Sequence, residues 1–168
     1  MSAMSVSVIV PTTIKRVVAV AVYPTGYDTL GFPRRFKKGL FMPPYVLDVL
    51  EFLIERGLNK VLTGTGVQFE THAFNLQLAR DANAFRLLEE SLATRDKTVK
   101  VILFMVGVMS YQFPFSIDVM RRWKKMGAAC FIGGPAINGG ITEMLEGVPE
   151  GSPHRGKITD ELKLLQNE

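Results

Sequence analysis

The chain has 168 residues, 47% of them hydrophobic and 21% charged, with a formal net charge of +4. That length and balance fit one globular domain with its own core, and they exclude a low-complexity or disordered chain. Basic residues lie scattered among acids instead of forming a stripe, so nucleic acid is not an expected partner, and the densest cluster, "RRFKK" at 34–38, reads as a solvated loop.

The N-terminal stretch "MSAMSVSVIVPTTIKRVVAVAVY" is interrupted by "PTTIKR". No run reaches the length of about 18 apolar residues that a membrane helix needs, and no cleavable leader pattern is present, so the expectation is a soluble cytoplasmic protein with no membrane partner. Residues 1–14 are expected to be an extension or an edge strand, a fifth strand arising if "SVSVIV" at 5–10 pairs at a sheet edge. "KRVVAVAVYP" (15–24) reads as a strand. "PPYVLDVLEFLIERG" (43–57) reads as a helix: proline suits its first turn, Val46, Leu47, Leu50, Leu53 and Ile54 form the apolar stripe, and Gly57 is expected to cap it. "NKVLTGTG" (59–66) is then the next strand and its loop, and residues 73–96 one interrupted helix or two short ones.

"VKVILFMVGVM" (99–109) is too apolar for a half-exposed strand and reads as a central one. "SIDVMRRWKKMG" follows as a helix, with Ser116 as N-cap, Val119, Met120, Trp123 and Met126 as its stripe, and Gly127 as its stop. "AACFIGGP" supplies another short strand, and "GITEMLEG" (140–147) a last short helix. The alternation predicts an open, mainly parallel α/β sheet of four to five strands with helices on both faces, of Rossmann-like or flavodoxin-like type. The domain is expected to span 15–147, with 148–168 as a polar tail.

Ligands of such sheets bind beyond the carboxyl ends of the strands. The residues to watch are therefore "YPTGYDTLG" (23–31), "TGTG" (63–66), "MSYQFP" (109–114) and "GGPAINGG" (133–140), all rich in small or hydroxyl residues and poor in charge. No GxxxxGK[ST] stretch is present, and "TGTGVQF" lacks the third glycine of a dinucleotide fingerprint. No acidic pair follows the first strand, as a phospho-receiver domain would require. The single cysteine, Cys130, excludes an internal disulfide or a multi-cysteine cluster and reads as an inert buried thiol. His72 and His154 stand far apart. No catalytic residue and no protein metal ligand is expected.

"VVAVAVYP", a loop and then "MPPYVLDVLEFLIERG" resemble the opening of the cobalamin-binding domains that precede radical SAM domains. "VGVMSYQFPFSIDVMRRWKKMGAACFIGGP" resembles the second half of that domain, so the likeness runs over about residues 15–140 with long gaps. It implies that Ser110 hydrogen-bonds the nucleotide tail of the cofactor, with Tyr111 and Gln112 beside it. It also implies that Gly133, Gly134 and Pro135 let the tail lie against backbone, and that Pro24, Thr25 and Gly26 sit beneath the corrin ring. "DTLG" (28–31) holds no histidine, so cobalt would lack a protein histidine ligand. The three-cysteine motif of the radical SAM part is absent, which implies a carrier, or a fragment, serving a radical SAM or methyltransferase protein.

Two other readings remain open on the residues. "PTGYDT" (24–29) is one residue away from the Thr-Gly-x-Thr loop of flavodoxins, which makes flavin mononucleotide (FMN) an alternative cofactor. Exposed apolar stretches such as "FPFSI" (113–117) or "GLFMPPY" (39–45) would fit a protein-interaction module without cofactor. The oligomeric state is open.

Overall fold

The computed structural model describes residues 13–35 and 45–138. Four strands, β1 (Arg16–Tyr23), β2 (Gln68–Asn75), β3 (Val99–Met105) and β4 (Ala129–Ile132), alternate with three helices, α1 (Tyr45–Leu62), α2 (Ala79–Ala93) and α3 (Phe113–Lys125). The sheet is wholly parallel, in the order β2-β1-β3-β4. This is the open α/β, Rossmann- or flavodoxin-like architecture expected from the alternation. The edge strand expected at 5–10, the helix expected at 140–147 and the polar tail lie outside the described residues.

β1 sits at the centre because it is apolar on both sides. Val18, Val20 and Val22 face α2 and α3, in a core with Phe85, Leu103, Phe113 and Trp123. Burying each such side chain contributes roughly 1.5–3 kcal/mol. The opposite face of β1 carries Ala19 and Ala21, both about 1% exposed, which let α1 approach closely. Leu47, Leu50 and Ile54 of α1 pack there against Ala21 and Phe104, and Leu58 and Leu62 continue onto Val17 and Phe69.

That continuation explains where the reading of the sequence misses. Leu58 and Leu62 extend the buried stripe by two turns, and their packing outweighs the cost of about 1 kcal/mol for a glycine inside a helix. The helix therefore runs through Gly57 and stops at a turn where Gly64 and Gly66 adopt φ of 82° and 74°. Residues 59–66 are helix end and turn, not strand: the Thr65 amide and hydroxyl both donate to the Leu62 carbonyl, at 3.0 and 2.7 Å. The strand is "QFETHAFN" instead, half polar because it lies at the sheet edge of the described residues, with Glu70 paired to Arg16 of β1 at 2.5 Å.

The stretch 73–96 holds one helix, α2, whose Asp81 carboxylate accepts the Asn75 amide at 3.0 Å. β3 ends at Met105, earlier than the apolar run, because Gly107 turns the chain at φ 65°. Ser116 does not cap α3. The helix begins at Phe113 with Pro114 in its first turn, and the buried Ser116 hydroxyl donates to the Gln112 carbonyl at 2.9 Å. Gly127 ends α3 as expected, at φ 79°.

Candidate functional site

β1 connects to β2 on one side, while β3 lies on its other side, so strand order reverses between the carboxyl ends of β1 and β3. In open parallel sheets this is where loops diverge and a ligand finds a crevice. Here the two loops are tied together instead. Gln112, fully buried, donates its side-chain amide to the Pro24 carbonyl at 2.8 Å, and its side-chain oxygen accepts the Met109 amide at 2.9 Å. The Tyr111 ring covers Gly26 so closely that a Cβ there would lie 2.7 Å from Tyr111 Cδ2. Thr25, also buried, donates its hydroxyl to the Arg34 carbonyl at 2.8 Å.

The double glycine divides its work. Gly134 has φ 145°, and a Cβ on it would fall 2.1 Å from the Val108 amide nitrogen. The backbone of the loop after β3 occupies that space: the Val108 amide donates to the Gly133 carbonyl at 3.1 Å, and the Ala136 amide to the Val108 carbonyl at 3.1 Å. Gly134 is thus glycine because a neighbouring loop presses on it. Gly133 is different, since nothing among the described residues lies within 4 Å of where its side chain would be.

That free space borders a pocket of about 420 Å³ at the carboxyl ends of β3 and β4. Its walls are Leu50 of α1, Phe104 to Gly107 leaving β3, and Phe131 to Pro135 leaving β4. None of these side chains is ionisable. Among the described residues, α1 packs over β2 and β1 and the pocket opens beside it, at this end of β3 and β4. Phe131, 55% exposed, stacks on Phe104 with ring centroids 5.3 Å apart.

Of the residues singled out from the sequence, Gly133, Gly134 and Pro135 line this pocket. Ser110 and Tyr111 stand exposed in the short 3₁₀ turn that precedes α3, and Gln112 is buried beneath them. Pro24, Thr25 and Gly26 are buried under that turn, with Gln112 as the clamp between the two loops. Sequence reasoning missed Phe104, Phe131 and Leu50. The available signal was register: Phe104 and Phe131 are direct partners across β3 and β4, so two aromatics share one face just before their turns.

Titratable groups near the crest are few. The Tyr27 hydroxyl donates to Asp118 at 2.6 Å, and burial, helped by that carboxylate, pushes its pKa up to about 12. Cys130, expected to be buried, is only half-buried, and desolvation raises its thiol pKa. His72 lies on β2, 3.4 Å from Glu70, and His154 is outside the described residues. Among the described residues no group of three histidine, cysteine or acidic side chains could hold a metal ion, and no helix is long and apolar enough to cross a membrane. Comparison of the chain with protein-family models, curated proteins and solved structures finds no match.

Proposed function

We propose that this chain is a carrier module for a corrinoid, with the apolar pocket at the ends of β3 and β4 receiving the nucleotide tail. The observation that carries the reading is a pocket of about 420 Å³ without ionisable lining, set against a glycine whose side-chain direction is open. A cavity of this size and polarity suits a flat heteroaromatic group, and the stacked Phe104 and Phe131 offer ring faces to it. On this reading Gly133 and Pro135 border the tail, and Ser110 and Tyr111 meet the more exposed part of the ligand. Pro24, Thr25 and Gly26 form a packed floor held shut by Gln112.

When bound, a corrinoid supplies methyl-transfer or radical chemistry at its cobalt. The chain's own residues bind, orient and exclude water; no described histidine approaches the pocket to act as a cobalt ligand. The substrate and the remaining catalytic groups would then come from a separate radical SAM or methyltransferase protein.

The test is retention of hydroxocobalamin by the full chain through gel filtration, read by visible absorption. The wild type is expected to elute red and stoichiometric. Gly133→Leu is expected to elute colourless while melting at the wild-type temperature, because the new side chain enters open space. A colourless wild type, or a Gly133→Leu variant that keeps the colour, overturns the reading. FMN is then the next ligand to try. A second reading draws on Val49, Phe52 and Leu53 of α1, each at least half exposed. A colourless wild type that sediments as a dimer favours a protein-contact module.

A further inference from the structure

A second cavity, of about 470 Å³, opens on the opposite face of the sheet, between α2, α3 and the loop after β1. Its floor is apolar and buried: Leu76, Phe85 and Phe115 are each 6% exposed or less. Room arises because two of the α2 positions facing it are alanines, Ala79 and Ala82. The rim is cationic, formed by Arg35, Arg86 and Arg122 with Tyr27 and Glu89.

The pairing of these charges decides what the cavity accepts. Glu89 holds Arg122 at 3.0 Å, Glu90 holds Arg86 at 2.5 Å, and Asp118 accepts the Tyr27 hydroxyl and faces Arg121 at 3.8 Å. Glu89, Glu90 and Asp118 are therefore each engaged. Arg35 differs: its guanidinium donates to the Arg34 carbonyl at 3.0 Å and has no carboxylate partner among the described residues. Its side chain reaches solvent, yet the surrounding protein desolvates it enough to lower its pKa. A guanidinium without a carboxylate partner among the described residues, set over an apolar floor, suits one negative charge on an apolar body. A guanidinium matches a carboxylate in two parallel hydrogen bonds, so the charge it recognises best is planar.

We propose that this cavity binds an aromatic carboxylate, its ring against Leu76, Phe85 and Phe115 and its carboxylate on Arg35. The site is separate from the pocket at β3 and β4, and its occupancy does not depend on a corrinoid.

The experiment is a titration of the isotope-labelled full chain with naphthoate and, separately, with uncharged naphthamide, followed by amide chemical shifts. Naphthoate is expected to give saturable shifts at Tyr27, Asn83, Phe85 and Phe115. Both naphthamide on the wild type and naphthoate on Arg35→Gln are expected to bind roughly tenfold more weakly, the loss of a charge-assisted hydrogen bond. Ala82→Phe fills the floor and is expected to remove both interactions. The proposal is overturned by the absence of saturable shifts, by equal affinity for the two probes, or by shifts centred on Gly107, Phe131 and Gly133. Because the two probes are compared on the unaltered chain, the outcome stands whether or not a variant folds.

Discussion

The two faces of the sheet are built to different degrees of closure. On the α2 and α3 side, Trp123 is fully buried and stacks on Phe85 at 5.2 Å, and the Val18, Val20 and Val22 row is sealed beneath them. On the α1 side, among the described residues one helix covers β1 and β2, and Phe131 on β4 is left half exposed. Closure on the first face gives the fold its stability, since packed interiors gain from every contact. Openness on the second leaves apolar surface whose removal costs the fold little and which is therefore available to a ligand.

The hinge of this comparison is Gly134, where the strand that bears the open face meets the loop leaving β3. Gly134→Ala is expected to be the most damaging single change. It introduces a methyl group 2.1 Å from the Val108 nitrogen, at a φ of 145° that side-chain-bearing residues avoid. A loss on the order of 4 kcal/mol, or failure to fold, is expected in urea denaturation. A variant that unfolds at the wild-type midpoint would mean that the two loops are not locked together, and the pocket wall would then be movable.

The next contrast compares the faces directly. Trp123→Ala is expected to cost about 3–5 kcal/mol, whereas Phe131→Ala is expected to cost about 1 kcal/mol, chiefly its stacking on Phe104. Urea denaturation of both variants reads the difference. If Phe131→Ala matches Trp123→Ala, something covers the open face in solution and the comparison of the two faces fails.

The buried half of this design was more legible than the open half. β1 and β3 announce themselves because burial on both faces demands long apolar runs, and the run from Val99 to Met105 needs no neighbour to be recognised, while α3 shows as an apolar stripe at helical spacing. β2 was illegible for the converse reason. An edge strand exposes polar residues, and Glu70 and His72 in "QFETHAFN" disguise it. The length of α1 was hidden because Gly57 is a stop signal that only tertiary packing overrides. At the site, "GGP" marked a place where backbones approach, but the sequence did not show which glycine served the fold and which bordered free space. That distinction rests on the loop after β3, which is remote from Gly134 in the chain, with the whole of α3 between them, but adjacent in space.

Gly57 offers the smallest effect and a sensitive one. It lies inside α1, and nothing stands within 4 Å of where its side chain would be. Gly57→Ala is therefore expected to stabilise the chain by about 0.5–1 kcal/mol, by restricting the unfolded backbone and favouring the helix. Thermal melting of the isolated chain at several concentrations measures this. A gain independent of concentration means that this side of α1 is as free in solution as its surroundings indicate. A loss that grows with concentration would mean that the notch at Gly57 receives another chain, because an added methyl then obstructs a contact on which stability depends. The same result would assign the exposed row of Val49, Phe52 and Leu53 to an interface, and the open face of the sheet would have to be read as half of an assembly instead of a ligand site.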